Sequence, residues 1–157
     1  MFKGGSDFGA GADATVEMLE KEIVPALMSA AGNEKCPLYI AGYSLAGLFA
    51  LYSLYRTDIF SGAISASGSL WFPGFAEFAA AHEPRRRPDK IYLSLGDKEK
   101  NTKNPVMSRV EEKTQEIYGI FRTMGTDCEF RLEPGGHFAD PEGRLARGIA
   151  RLTDNNI

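Results

Sequence analysis

Ser44 stands in the run Gly42-Tyr43-Ser44-Leu45-Ala46, and the chain has two histidines, His82 and His137. A serine hydroxyl is a poor nucleophile at neutral pH, so acyl-transfer chemistry would need a base within hydrogen-bond reach of it. The setting of Ser44 suits that role. Leu38 to Ala41 is a short apolar run that fits a buried strand, and Leu45 to Tyr55 carries apolar residues at helical spacing, so 42–44 must form a tight strand-to-helix turn. A serine there stands at the carboxyl end of a strand, beside the unpaired N–H groups of a helix's first turn. Gly42 lets the strand turn without a Cβ clash, and Ala46 with Gly47 leaves little side chain between the helix and its neighbours. The competing reading of Ser44 is a residue that only caps a packing helix.

Of the two histidines, His137 is the candidate base. It follows the last expected strand behind Gly135 and Gly136, and parallel strands put that loop on the same sheet edge as Ser44. His82 ends an Ala-rich helix before Arg85, Arg86 and Arg87 and reads as a surface residue, with the arginine run as a solvated face. Asp97 and Glu99, on the loop after the preceding strand, are the carboxylates that could orient His137. Asp140, three residues past His137, reads as the cap of the terminal helix. Trp71 and Phe72 lie in a loop beside the turn, where they can line an acyl or aromatic pocket or simply pack under the loop; Tyr43 is a further candidate substrate contact. No phosphate-loop pattern and no ligand-spaced cluster accompanies these residues, so neither a cofactor nor a metal is expected.

The elements that must position this set follow from periodicity. Helices are expected from Asp13 to about Ala31 (capped by Asp13, interrupted by Pro25 and stopped at Gly32-Asn33), from Leu45 to Tyr55, over Phe75 to Ala81, from Pro105 to Met124, and over Pro141 to Leu152 with Leu145, Ile149 and Leu152 inward. Strands are expected at Leu38–Ala41, Gly62–Ser67, Lys90–Leu95 and Cys128–Leu132, the last alternating polar with apolar residues as an edge strand would. This alternation predicts an α/β three-layer sandwich, a short, mostly parallel sheet of about four strands with helices on both faces. Residues 1–12 read as a Gly-rich arm and 13–157 as a single domain.

Composition is that of an ordinary globular domain: 157 residues, 43% hydrophobic and 25% charged, with a net charge of -3. Nothing in that balance, and no basic tract, points to nucleic acid. No apolar run approaches the length of a membrane span and the N-terminus lacks a signal-peptide pattern, so a cytoplasmic location is expected. Cys36 and Cys128 are too few for a disulfide framework and read as reduced, structural thiols.

The stretch G-Y-S-L-A-G-L-F-A-L-Y, followed by D-I-F-S-G-A-I-S-A-S-G-S-L-W-F, resembles the nucleophile elbow and surroundings of the esterase family on the α/β-hydrolase fold that includes esterase D, S-formylglutathione hydrolase, feruloyl esterases and siderophore esterases. Ala46 replaces the usual fifth glycine of that elbow. The resemblance implies a serine carboxylic ester hydrolase acting through an acyl-enzyme on a small or carbohydrate-linked ester, with Ser44 as nucleophile, His137 as base and the Leu45 N–H as first oxyanion donor. Relatives with an acid three residues past a strand-ending glycine favour Glu99 over Asp97, and siderophore esterases of the family imply a Ser-His dyad as the other arrangement. The resemblance covers only the C-terminal part of the family domain, a truncated α/β-hydrolase without the strands that precede the elbow or their oxyanion donor. The elbow strand would then be an apolar edge, expected to be covered in a homodimer, while the arm from Phe2 to Ala12 could bring backbone donors near Ser44. The opposing function class is a catalytically inactive truncated hydrolase domain with a binding or structural role.

Overall fold

The structure, a computed structural model, describes residues 11–32 and 36–154. By its internal contacts the chain divides into two units, Met1–Pro37 and Leu38–Ile157.

The first unit is helical: α1 (Ala12–Met18), a π-helical turn (Leu19–Ile23) and α2 (Val24–Ala31). The helix cap lies two residues earlier than the sequence suggests. Gly11 occupies the cap position without a side-chain bond, and Asp13 falls inside the first turn, where its carboxylate still complements the helix dipole. Pro25 sits in the first turn of α2, directly after the π-helical turn, so the wider ring absorbs the donor that proline lacks. Gly32, at φ 63°, ends the helix in the left-handed conformation. Asn33 and the arm up to residue 10 lie outside the described residues.

The second unit carries β1 (Tyr39–Tyr43), α3 (Leu45–Ser53), β2 (Gly62–Ala66), α4 (Phe75–Ala81), β3 (Lys90–Gly96), a 3₁₀ turn (Met107–Arg109), α5 (Val110–Thr123), β4 (Asp127–Glu133) and α6 (Pro141–Thr153). All four strands are parallel, in spatial order β1-β2-β3-β4. Tyr39, Gly62, Lys90 and Asp127 lie in register across the sheet, which aligns the carboxyl ends of the strands along one edge. Among the described residues β4 is an edge strand, as its alternation suggested, and β1 is the other edge.

The faces follow from the two-residue period of the strands. Ile64 and Tyr92 point toward α6 and form a buried cluster with Leu152, flanked by Tyr39 and Leu145. Ser65, one residue along, faces the opposite side and lies against Gly47 of α3. Right-handed crossovers between successive parallel strands send α3 and α5 to the same face, where Ile117 and Phe121 are buried over the sheet and α4 packs beside α5. The result is the three-layer arrangement expected. Within α6 the inward stripe differs from its apolar pattern: Arg144, Gly148 and Leu152 are buried, whereas Ile149 is exposed. The reason is steric. A Cβ at residue 148 would stand 2.6 Å from Ile64 Cγ2 and 2.8 Å from Tyr92 Cδ1, so only glycine lets α6 lie this close to the sheet.

Two glycine substitutions should therefore shift stability in opposite directions. Gly148→Ala is expected to cost about 1–3 kcal/mol by overpacking, whereas Gly119→Ala, with no atom within 4 Å of the new methyl, should gain about 0.5–1 kcal/mol from helix propensity. Denaturant titration of both variants reads the signs directly.

Candidate active site

The turn between β1 and α3 has no connecting residue other than Ser44, so Ser44 absorbs the whole change of direction at φ 57°, ψ −121°. Gly42 makes that possible, since a Cβ there would land 2.1 Å from the Ala46 carbonyl oxygen. Hydrogen bonds fix the turn: the Ser44 N–H donates to Ala66 O at the end of β2 (3.1 Å), and the Ser44 carbonyl accepts from Gly47 (3.0 Å), Leu48 (3.1 Å) and Ser69 (3.0 Å). The Ser44 side chain makes no capping bond to α3. Its Oγ lies 3.1 Å from His137 Nε2 and 3.4 Å from Ser69 Oγ. Ala46 is exposed, so its methyl meets open space, while Gly47 supplies the close approach, packed against Ser65 Oγ and Gly68. The departure from a glycine at the fifth elbow position is thus sterically free.

His137 Nδ1 faces Glu99 Oε2 at 2.7 Å. Of the two candidate carboxylates, Glu99 is the one that meets the imidazole. A turn folds Glu99 back on the end of β3: its N–H donates to Gly96 O (3.1 Å), and its Oε1 accepts from the Gly96 N–H (2.7 Å). Asp97 instead shapes the histidine loop, its Oδ1 accepting from the Gly135 N–H (2.8 Å) while its own N–H donates to Glu133 O (2.8 Å). The two loops touch where Gly96 has no side chain, since a Cβ there would be 2.3 Å from Gly135 O. Tyr43 donates its hydroxyl to the His137 carbonyl, bracing the same loop from the elbow.

Behind Glu99 lies a charge network that the sequence reading missed. Arg144 is 0% exposed and donates through Nη1 to Glu99 Oε1 (2.9 Å) and Ser67 Oγ (2.6 Å), and through Nη2 to Pro134 O (3.4 Å). Its Nε is 3.3 Å from Glu133 Oε2, and Arg147 holds Glu133 through both oxygens (2.8 and 2.5 Å). An arginine at helical spacing looks like a solvated side chain, so only the rotation imposed by Gly148 could have revealed it. Burial pushes the Glu99 carboxyl up, but hydrogen bonds from His137, the Gly96 N–H and Ser67 outweigh it and hold the group below its ordinary value. Glu133 is likewise lowered: burial raises it, and Arg147 more than offsets this.

The remaining candidates fall around this pair. Leu45 opens α3, where its N–H has no partner inside the helix. Trp71 and Phe72 are half-buried two and three residues beyond Ser69; the loop sends Leu70 into the core instead. Phe138 is 87% exposed and sets its ring edge-on to His137 at 4.9 Å. His82 is exposed and donates from Nδ1 to the Phe78 carbonyl of its own helix at 2.8 Å. Asp140 caps α6 through the Gly143 N–H (3.2 Å). Cys36 is half-buried, and burial pushes the Cys128 thiol up to about 12. Among the described residues there is no cluster suited to a metal ion, and no helix long and apolar enough to cross a membrane.

The family described as Putative esterase matches residues 5–137. Among curated proteins no match is found. Similar solved structures include the siderophore hydrolase EstB from Aspergillus nidulans (TM-score 0.73, 20% identity, 90% of this chain and 58% of that one). An IroE-like serine hydrolase from Shewanella oneidensis (0.71, 19%, 90% and 48%) is another. The enterochelin esterase from Shigella flexneri (0.71, 26%, 87% and 36%) is a third. The chain therefore spans between about a third and just under three fifths of the length of these structures. With its parallel sheet, its strand-to-helix elbow and a match over most of its length, the chain belongs to the Putative esterase family and has part of an α/β-hydrolase fold.

Proposed function

We propose that this chain is a serine hydrolase of carboxylic esters, working through an acyl-enzyme. The observation that carries the reading is the continuous chain from Ser44 Oγ to His137 Nε2 (3.1 Å) and from His137 Nδ1 to Glu99 Oε2 (2.7 Å). The Glu99 carboxylate selects the tautomer with the proton on Nδ1, which leaves Nε2 free to accept from the serine. As Oγ attacks the ester carbonyl carbon, Nε2 takes its proton. The tetrahedral oxyanion is met by the Leu45 N–H, an interaction whose loss typically costs about 10²–10³ in rate. When the carbon–oxygen bond to the alcohol breaks, the imidazolium returns the proton to the leaving oxygen. Water then repeats the sequence, with His137 as base, and releases the acid and free Ser44.

The substrate class is a small or carbohydrate-linked ester, with Trp71, Phe72 and Tyr43 as candidate contacts; the siderophore hydrolases among the similar structures add siderophore esters to the panel worth screening. A second reading is a catalytically silent hydrolase domain with a binding role. In either case β1, which pairs only with β2 among the described residues, offers an edge that a second copy could cover, giving a homodimer. Light scattering at micromolar concentration would read a monomer if that edge stays open.

Intact-mass labelling with a fluorophosphonate separates the two readings. One adduct on the native chain, absent from Ser44→Ala and His137→Ala, is the outcome expected of the hydrolase; a folded native chain that takes no label is the outcome expected of the silent domain. Ester turnover should separate the carboxylates as well. Glu99→Gln is expected to lose about 10²–10⁴ in kcat, and Asp97→Asn, which alters only the loop's hydrogen bonding, about tenfold or less.

Stability should follow pH through the same carboxyl. A carboxylate whose folded-state pKa is lowered contributes stability that is fully present above its unfolded value, 4.5, and is lost as pH falls through the folded value. The difference in melting temperature between the native chain and Glu99→Gln should therefore hold steady above pH 4.5 and shrink as pH falls below it.

A further inference from the structure

Glu99 reaches His137 with one oxygen and is anchored by the other. Oε2 is 2.7 Å from His137 Nδ1, while Oε1 receives the Gly96 N–H (2.7 Å) and Arg144 Nη1 (2.9 Å). A glutamate has one more rotatable bond than an aspartate, so a carboxylate on this longer arm faces the imidazole in a single orientation only if its second oxygen is held. Arg144 is built to hold it. Its guanidinium is completely buried, and its contacts, Ser67, Glu99, Pro134 and Glu133, come from the carboxyl ends of β2, β3 and β4. One side chain from the first turn of α6 thus ties together the loops that carry the carboxylate and the histidine. Glu133 is engaged at both oxygens by Arg147, which leaves the Arg144 charge chiefly to Glu99. A fork-shaped guanidinium can bond Glu99, Ser67 and Pro134 at once, whereas an ammonium is a single point charge.

We propose that Arg144 is a positioning residue for the serine-hydrolase reaction, its guanidinium fixing the Glu99 carboxylate so that Oε2 faces His137 Nδ1. The inference rests on the hydrolase reading above. Buried ion pairs seldom add net stability, because desolvation offsets their attraction. The consequence of this one is geometric: without it Glu99 would swing from the imidazole while remaining on the same loop.

The test is the rate of fluorophosphonate labelling of native protein, Arg144→Lys, Glu99→Gln and the double variant, each with a thermal melt. Arg144→Lys is expected to label about tenfold more slowly and Glu99→Gln about a hundredfold more slowly. The double variant should match Glu99→Gln within about twofold, since an anchor has nothing left to position once its carboxylate is gone. A role confined to stability would lower the melting temperature without this non-additivity. A native rate in folded Arg144→Lys, or a double variant slowed by the product of both factors, overturns the proposal. If Arg144→Lys does not fold, Ser67→Ala decides: about threefold slower alone and no slower in the Glu99→Gln background is expected, and an unchanged rate overturns it. A folded native chain that takes no label overturns the hydrolase reading and this inference with it, whereas a labelled native chain with a multiplicative double variant overturns the inference alone.

Discussion

The left-handed backbone of Ser44 is the constraint on which the rest of the second unit depends. A non-glycine residue at φ 57° costs on the order of 1–3 kcal/mol and persists only where its surroundings over-determine it. Here they do: the N–H is taken by β2, and the carbonyl is shared by two N–H groups of α3 and by Ser69 beyond β2. That arrangement requires the second strand to lie directly beside the first, in parallel, so that Ala66 stands opposite Tyr43. Relaxing the turn would let the Ser44 hydroxyl fall back toward the helix, where serine ordinarily caps.

The same edge of the sheet gathers the other loops by removing side chains where backbones cross. Gly42, Gly47 and Gly96 each stand at a point where a Cβ would be 3.0 Å or less from a backbone oxygen of another segment. These contacts bring three loops close enough for polar groups to meet. Buried polar groups must find partners, and Glu99, Glu133, Arg144, Arg147 and Ser67 form one connected set behind the histidine, while the exposed Asp97 ties down the Gly135 N–H at its rim. Hydrogen bonds from His137, the Gly96 N–H and Ser67 outweigh burial and hold Glu99 in its charged form, and the same carboxylate is ion-paired with Arg144.

The arrangement divides the labour between carboxylates that look alike in sequence. Asp97 is two residues closer to the strand and has the shorter arm, so it reaches the backbone of the histidine loop; Glu99 is turned back over the strand end and reaches the imidazole. Tyr43 shows a similar redirection, its hydroxyl bracing His137 through the backbone. In each case the loop path, together with the reach of the side chain, selects the partner.

Much of this was legible in the chain itself. The four strands, their parallel order and the turn at Ser44 follow from apolar periodicity and glycine placement, which are local properties written in consecutive residues. The convergence of Ser44 and His137 followed too, since parallel strands put all their carboxyl ends on one edge. What local pattern could not carry is anything that depends on the distance between two elements. The rotation of α6 that buries Arg144 and exposes Ile149 arises from a contact between Gly148 and the side chains of Ile64 and Tyr92, residues far apart in sequence. The π-helical turn before Pro25 in the first unit is likewise absent from the apolar period. Sequence alone determined the order of the elements and the edge where the chemistry gathers; tertiary structure decided which carboxylate faces the histidine and which arginine stands behind it, because sub-ångström packing between distant segments sets the reach of each side chain.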